Sequence, residues 1–276
     1  DFCLSRGLGD VYKRQVLGLG VIIITGWLFT EQSVKQRVTQ EIFKPNDTDT
    51  VTPDNTNQNY TPQAIATNLT VPWDIGFLPN GTMVYTERGG QLTIAGNMEQ
   101  TFNIDGVRAG GEGGLLGLAV HPEFTKNNWI YLYFTTNNQT NKVVRYRLAN
   151  NQLTVDRTII ENIPGANYHN GGKIAFGPDN KLYITTGDAQ DTSQAQEPSS
   201  LAGKILRLND DGSIPADNPF SNPVYSYGHR NPQGLAWDSQ GRLWSTEHGR
   251  SGLSTGLDEL NPVSYTHLRA HETGRN

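Results

Sequence analysis

Four segments of the chain repeat one pattern, in which a stretch of alternating apolar residues leads into a short turn and a second such stretch follows. The turns are built from Pro, Asn, Asp and Gly, and this combination is typical of β-hairpins. The four segments are residues 72–94, 115–136, 171–188 and 232–249. The repeat therefore predicts four hairpins.

The spacing of the hairpins narrows the choice of fold. Their starts lie roughly 40 to 60 residues apart, which is the spacing of propeller blades and too long for a simple meander. Shorter alternating pieces at residues 143–149 and 203–209 could complete four-stranded blades. We therefore expect an all-β fold, a β-propeller, with about three to four blades between residues 63 and 261, fewer than a closed ring commonly needs.

Two other architectures fit less well. No long stretch between residues 63 and 261 shows sustained helical periodicity, which disfavours doubly wound α/β folds. A β-sandwich also produces evenly spaced hairpins, but it does not need the same kind of turn in each of them.

Composition excludes one class of partner. The chain has 276 residues with 30 glycines and 14 prolines, and its 18% charged residues give a net charge of −5. Such a chain is rich in turns and has no general basic surface. We therefore expect no nucleic-acid partner.

The region before the hairpins suggests export. Residues 16–30 form an uncharged apolar run, which suits a signal peptide or an amino-terminal membrane anchor; a buried core helix is the alternative. Residues 31–62 follow as a linker, dominated from residue 44 by Asn, Thr, Asp and Pro. We expect a periplasmic or extracellular protein with a possible membrane tether.

The two ends of the chain differ in character from the middle. Residues 1–15 and 262–276 resemble translated sequencing-adapter sequence, and we expect both to lie outside the natural fold. Unusual native tails are the alternative. Because the only cysteine, Cys3, lies in the first of these segments, no disulfide or thiol chemistry is expected. The partial propeller is then residues 63–261.

Three loops carry polar residues that turns do not require. Glu112 lies among glycines, His169 precedes two glycines, and residues 229–233 read His-Arg-Asn-Pro-Gln. Each has an ordinary alternative as a surface or turn residue. Together, a histidine base, an arginine and a carboxamide are suited to the oxidation of an alcohol.

Long motifs in order along the chain carry a family resemblance. They read GEGGLLGLAVHPEF, HNGGKIAFGPDNKLYITTGD, LAGKILRLNDDGSIPADNPF, YSYGHRNPQGLAWD and STEHG followed by LDELN. From about residue 70 to residue 261 the chain resembles the soluble glucose/sorbosone dehydrogenases that depend on pyrroloquinoline quinone (PQQ), which include the aldose sugar dehydrogenases. The resemblance implies a six-bladed propeller, of which this chain carries between half and two thirds.

The resemblance also implies roles for four residues. His169 is the general base that takes the proton of the C1 hydroxyl of an aldose, while the C1 hydrogen leaves as hydride to the quinone and a lactone forms. Arg230 and Asn231 contact the C5 oxygen of PQQ, and Glu112 faces substrate or cofactor. The glycines after His169 are expected to let the strand pass close beneath a flat cofactor.

Calcium is the second cofactor that the resemblance implies. Its ligands would be backbone carbonyls near Gly249 and Arg250, where arginine replaces the usual proline. Glu259 matches an acidic ligand of a second, structural calcium. An arginine beside calcium is unfavourable unless its side chain points away.

Other functions stay open at this point. The alternatives are a calcium-dependent propeller that hydrolyses lactones and a propeller without enzymatic activity that binds partners at the cell surface. For the dehydrogenase we expect an external electron acceptor. This chain by itself is expected to be inactive, because in the matched loops only Arg230 can neutralise the carboxylates of PQQ.

Overall fold

The computed structural model describes residues 62–96, 99–249 and 258–264. The chain divides into two compact units, Asp1–Thr67 and Asn68–Asn276. Of the first unit only residues 62–67 are described, and these contain neither helix nor strand. Every element below belongs to the second unit.

Several expectations fall outside the described residues. They concern the terminal segment 1–15, the apolar run 16–30, the linker 31–62 except its last residue, and most of the segment 262–276. In the part of the chain that is described, no helix has the length and apolarity needed to cross a membrane.

The second unit consists of four antiparallel sheets, each formed by strands that follow one another in the sequence. Blade 1 contains β1 (Pro72–Phe77), β2 (Met83–Glu87), β3 (Gln91–Ala95) and β4 (Gln100–Asn103). Blade 2 contains β5 (Leu115–Val120), β6 (Trp129–Thr135), β7 (Thr140–Ala149) and β8 (Gln152–Pro164). Blade 3 contains β9 (Ile174–Phe176), β10 (Leu182–Thr186), β11 (Lys204–Leu208) and β12 (Val224–Tyr227). Blade 4 contains β13 (Pro232–Trp237), β14 (Leu243–Glu247) and β15 (Glu259–Val263).

The four predicted hairpins are therefore confirmed, and with them the all-β propeller. Residues 143–149 lie in β7 and residues 203–209 contain β11, so both short pieces complete blades as expected. One hairpin differs from the prediction, because its turn contains a helix, α1 (Phe124–Asn127), which ends at Asn128 with φ of 59°. Among the described residues the other helix is α2 (Thr192–Ala195), also four residues long.

The apolar core lies between the blades. Each cluster of buried side chains draws on two neighbouring sheets, so every interface between consecutive blades has its own core. Because both faces of blade 2 are covered, β6 is buried almost throughout its length. Typical members of the three clusters are Val84 with Leu132, Tyr133 with Leu206, and Ile205 with Leu235.

One carboxylate joins three blades at their first strands. Asp74 of β1 accepts a hydrogen bond from the Leu118 backbone N–H of β5 at 3.0 Å. Its other oxygen lies 2.6 Å from the Lys173 ammonium, one residue ahead of β9. Asp74 is buried, so solvent screens its attraction to the ammonium less than it would on the surface. It fixes the relative positions of the strands from which the site loops extend.

The predicted boundary between the propeller and the segment 262–276 falls within the described residues. The position between residues 261 and 262 lies inside β15, where Pro262 is opposite Trp244 and Val263 is opposite Leu243. Val263 is buried in the core between blades 3 and 4. Adapter-like sequence at this end remains a prediction.

Candidate active site

His169 lies in the connection between β8 and β9 and has an uncommon backbone conformation. Its φ is 60°, in the left-handed region that residues other than glycine rarely adopt. Such a conformation costs on the order of 1–3 kcal/mol and persists where surrounding contacts enforce it. One of these contacts is the hydrogen bond that its N–H donates to Oε2 of Glu112, at 2.7 Å.

The imidazole of His169 is oriented by a buried carboxylate. Nδ1 lies 2.7 Å from Oδ1 of Asp188, whose side chain is 1% exposed. Because an ionised carboxylate can only accept a hydrogen bond, Nδ1 is the donor in this contact, and in the neutral ring the lone pair is then on Nε2. Within the described residues, Nε2 has no hydrogen-bond partner, and the ring is 17% exposed. The arrangement is therefore suited to accept a proton at Nε2.

Glu112 and Asn231 connect this loop to the loop before β13. Oε2 of Glu112 accepts a second hydrogen bond, from Nδ2 of Asn231 at 3.2 Å. The carbonyl oxygen of the Asn231 side chain accepts from the Gly171 N–H at 2.9 Å. Asn231 is almost completely buried, and both ends of its amide hold neighbouring loops together.

The backbone of Arg230 makes two hydrogen bonds to acidic residues near the site. Its N–H donates to Oε2 of Glu247 at 3.0 Å, and its carbonyl accepts from the Asp188 N–H at 2.8 Å. Arg230 as a whole is half-buried, and its guanidinium donates to the His248 carbonyl at 3.3 Å. The backbone bond to Asp188 closes a circuit of contacts around the site, whose members are Asp188, His169, Glu112, Asn231 and Arg230.

Three glycines near His169 are required by the packing of the protein itself. A Cβ on Gly171 would lie 2.7 Å from the Thr185 carbonyl oxygen, and one on Gly172 would lie 2.7 Å from a methyl carbon of Leu116. A Cβ on Gly187 would lie 1.9 Å from the carbonyl oxygen of His169 itself. Close approach of a cofactor was the reason expected for the two glycines after His169, whereas these contacts require them without any ligand.

Among the residues expected near calcium, Gly249 and Glu259 are described and Arg250 is not. The Gly249 N–H donates to Oδ1 of Asp258 at 3.2 Å. Glu259 lies opposite Glu247 in the β14–β15 pair, and Asn261 donates to both carboxylates, at 3.0 and 3.1 Å. Residues 62–96, 99–249 and 258–264 contain no group of three or more His, Cys, Asp or Glu side chains that could hold a metal ion. The calcium assignments therefore remain predictions.

One residue of the candidate loops lies in the protein interior. His229 is completely buried, and its Nε2 lies 2.9 Å from Oγ of Ser226. Its Nδ1 is 3.5 Å from Oε1 of Glu247 and has no hydrogen-bond partner among the described residues. Its neighbour Gln233 contacts Nε2 of His248 at 2.9 Å.

Two carboxylates of the site were not predicted from the sequence. Asp188 closes the segment ITTGD at the end of β10, and Glu247 ends β14 in STEHG. Both motifs were recognised, but neither acid was given a role. An acidic residue at the end of a buried strand, on the side where the candidate loops lie, is the signal that could have identified them.

The chain matches a family model and curated proteins of known name. The model described as Glucose / Sorbosone dehydrogenase matches residues 69–267. Quinoprotein glucose dehydrogenase B of Acinetobacter calcoaceticus is 34% identical over 248 residues, covering 75% of this chain and 51% of that protein. Aldose sugar dehydrogenase YliI of Escherichia coli (strain K12) is 34% identical over 219 residues, covering 72% and 58%.

A solved structure shares both fold and sequence with this chain. The PQQ-bound aldose sugar dehydrogenase of Streptomyces coelicolor superposes with a TM-score of 0.69 and 40% sequence identity, covering 73% of this chain and 62% of that one. The chain thus spans between about half and two thirds of the length of these relatives.

Proposed function

The chain belongs to the glucose/sorbosone dehydrogenase family, and from this premise we propose that it supplies four blades of a PQQ-dependent dehydrogenase that oxidises an aldose at its C1 hydroxyl to the lactone. The identity of the relatives over most of this chain supports a sugar dehydrogenase of the PQQ-dependent type. The particular chemistry rests on the residues of the site.

The pairing of His169 with Asp188 is the observation that carries the proposal. Asp188 keeps the proton on Nδ1, so Nε2 is the atom that removes the proton of the C1 hydroxyl. The buried carboxylate also stabilises the imidazolium that forms when this proton arrives. Without this partner the ring could rotate or adopt the other tautomer.

The remaining side chains of the site suit two ligands, a flat anionic quinone and a sugar. PQQ, when bound, supplies an ortho-quinone that accepts the C1 hydrogen as hydride. Arg230 and Asn231 are the residues that would hold its C5 oxygen, the guanidinium by stabilising negative charge there. Glu112 is better suited to sugar hydroxyls, since a carboxylate accepts hydrogen bonds but repels the carboxylates of PQQ.

Calcium belongs to the same proposal. Carbonyl oxygens at Gly249 and Arg250 would hold a calcium ion, which would supply positive charge near the cofactor, and Glu259 would serve a separate structural ion. The pair of facing carboxylates Glu247 and Glu259 gives this edge of blade 4 a local negative charge, which favours a cation there.

The test is a dye-reduction assay on the complete protein reconstituted with PQQ and calcium. His169→Ala should lower turnover of an aldose by roughly 10²- to 10⁴-fold, the usual loss when a general base is removed, while PQQ binding persists. Tyr168→Phe, in the neighbouring exposed residue, is the matched control and should keep normal turnover. Wild-type turnover in the His169 variant would refute the assignment.

The same assay, run beside an assay of lactone hydrolysis, separates the other candidate functions. Hydrolysis of a lactone without dye reduction would identify the calcium-dependent hydrolase, and absence of both would leave a binding propeller. For the 276-residue chain alone, calorimetric titration with PQQ and calcium should show weak binding and no sugar-dependent dye reduction. Micromolar or tighter binding with dye reduction would contradict the expectation that the chain is inactive.

We also propose that the native protein acts outside the cytoplasmic membrane and passes its electrons to an external acceptor. The apolar run 16–30 and the polar segment after it support export. Cell fractionation tests this proposal, and recovery of the protein only from the cytosol would overturn it.

A further inference from the structure

Lys204, the first residue of β11, carries a charge in the interior of blade 3. The residue is completely inaccessible to solvent. Its ammonium donates to the carbonyl oxygens of Gln194 at 2.8 Å, Ala195 at 3.0 Å and Ala202. An ammonium has three donors, and here all three meet backbone carbonyls. A buried charge is costly unless it is satisfied in this way.

The three carbonyls all lie in one loop, residues 188–203, which follows Gly187 after β10 and leads into β11. This loop begins at Asp188, contains α2 and ends one residue before Lys204. The Gly203 N–H donates to the Gly187 carbonyl at 2.8 Å. Lys204 therefore holds the middle and the end of the loop close to the end of β10, which Asp188 follows.

The same loop is bonded to the segment that carries Arg230. The Ala195 carbonyl accepts from the Gly228 N–H at 2.8 Å as well as from Lys204. The Gly203 carbonyl accepts from the His229 N–H at 3.1 Å, and the Asp188 N–H donates to the Arg230 carbonyl at 2.8 Å. Three backbone bonds thus connect the loop held by Lys204 to residues 228–230.

A neutral side chain could not replace this arrangement. Methionine has a comparable length but no donor, so three buried carbonyls would lose a partner. Burial lowers the pKa of Lys204 to about 8, so Lys204 is charged in most molecules at neutral pH. All three donors are then present under ordinary conditions.

We propose that Lys204 is a positioning residue of the active site, which holds Asp188 and the Arg230 segment in fixed relation through the 188–203 loop. This inference rests on the proposed function for its effect on catalysis. The contacts themselves can be tested without any activity.

The first test is hydrogen exchange of the 276-residue chain, followed by mass spectrometry, in Lys204→Met. Exchange should accelerate at least about tenfold at the N–H groups of Asp188, Gly203 and Gly228, while peptides from β6 keep their protection. The matched control is Arg207→Met, on the same strand. Arg207 is also buried and polar, but its guanidinium binds Asp179, Asp217 and Asn218.

The comparison of the two variants decides the outcome. The proposal requires that Lys204→Met, and not Arg207→Met, opens the loop and residues 228–230. The same pattern in both variants would overturn it. Lys204→Gln, which keeps two donors, takes the place of the methionine variant if that one does not fold. If neither folds while Arg207→Met does, Lys204 serves the whole fold, and the proposal is wrong.

The second test is kinetic and uses the complete protein with PQQ. Misplacement of Asp188 and His169 should lower kcat by about 10- to 100-fold at a temperature where the protein is fully folded, with little change in KM for the sugar. Arg207→Met should stay near the wild-type value. If the wild type oxidises no sugar, the proposed function fails, whereas the exchange experiment still tests the role of Lys204. Unchanged kcat in an active Lys204 variant would refute the catalytic part.

Discussion

Nδ1 of His169 lies 2.7 Å from Oδ1 of Asp188, although the two residues are separated by 19 positions along the chain. The strands β9 and β10 form the hairpin between them, and the contact brings the end of β10 back to the loop before β9. The pair combines a partly exposed imidazole with a buried carboxylate. This is the arrangement that keeps a histidine in one tautomer.

Asp188→Asn should therefore be severely impaired in the complete protein. The amide removes the charge that stabilises an imidazolium and permits the wrong tautomer, so kcat should fall by roughly 10²- to 10⁴-fold. Asp191→Asn is the control, because Asp191 is an exposed cap of α2 and asparagine caps equally well. Comparable kcat values in the two variants would show that Asp188 does not orient the base.

Arg230→Lys should slow reduction of PQQ by sugar without weakening the fold. The backbone N–H and carbonyl of residue 230 keep their bonds to Glu247 and Asp188, but lysine loses the planar donor geometry of the guanidinium. Stopped-flow measurement of the reductive step, with thermal unfolding in parallel, checks this. Arg242→Lys, at an exposed position, is the control. An unaltered reduction rate would argue against a contact of Arg230 with the quinone.

Gly187→Ala should damage both fold and site. The added Cβ would lie 1.9 Å from the His169 carbonyl oxygen, and relief of this overlap should cost about 1–3 kcal/mol or more. Gly89→Ala is the matched control, since nothing lies within 4 Å of its Cβ position. Urea titration of both variants of the 276-residue chain measures the difference. Equal stability would mean that the loop moves aside without cost.

His121 should make the fold sensitive to acid. Burial lowers its pKa, and the nearby Asp210 opposes this shift without reversing it. Nδ1 accepts hydrogen bonds from the Glu123 N–H at 3.0 Å and Asn127 Nδ2 at 2.8 Å, so the neutral ring is the form that fits. The unfolded chain binds the proton more readily, and stability should therefore fall as the pH falls below about 6.5.

The measurement is urea unfolding of the 276-residue chain at pH 7 and pH 5.5. His121→Asn offers a similarly placed acceptor that does not titrate, so it should reduce the loss of stability between the two pH values. Carboxylates distant from His121 contribute equally to both proteins, so the difference reports on His121 together with its partner Asp210. A loss in the variant as large as in the wild type would disprove this origin.

The blades could be predicted from the sequence because their information is local. Alternation in residues 72–94 and in 171–188 specifies which face of each strand is apolar, and the turn residues between them allow the chain to reverse. Strands that follow one another in the sequence are also neighbours in every sheet. The helix α1 inside one turn was missed because four residues are too few to show a helical period.

The site was predicted in its residue types but not in its contacts. Glu112, His169, Arg230 and Asn231 were identified as candidates, and the fold brings all four together. The contacts of Asp188 and Lys204, the burial of His229 and the reason for the glycines depend on which loops meet. Glu112 and Asn231 touch across 119 positions of the chain, and Gly171 and Asn231 across 60. Only the packing of consecutive blades decides such distances, because no period in the sequence extends from one blade to the loops of another.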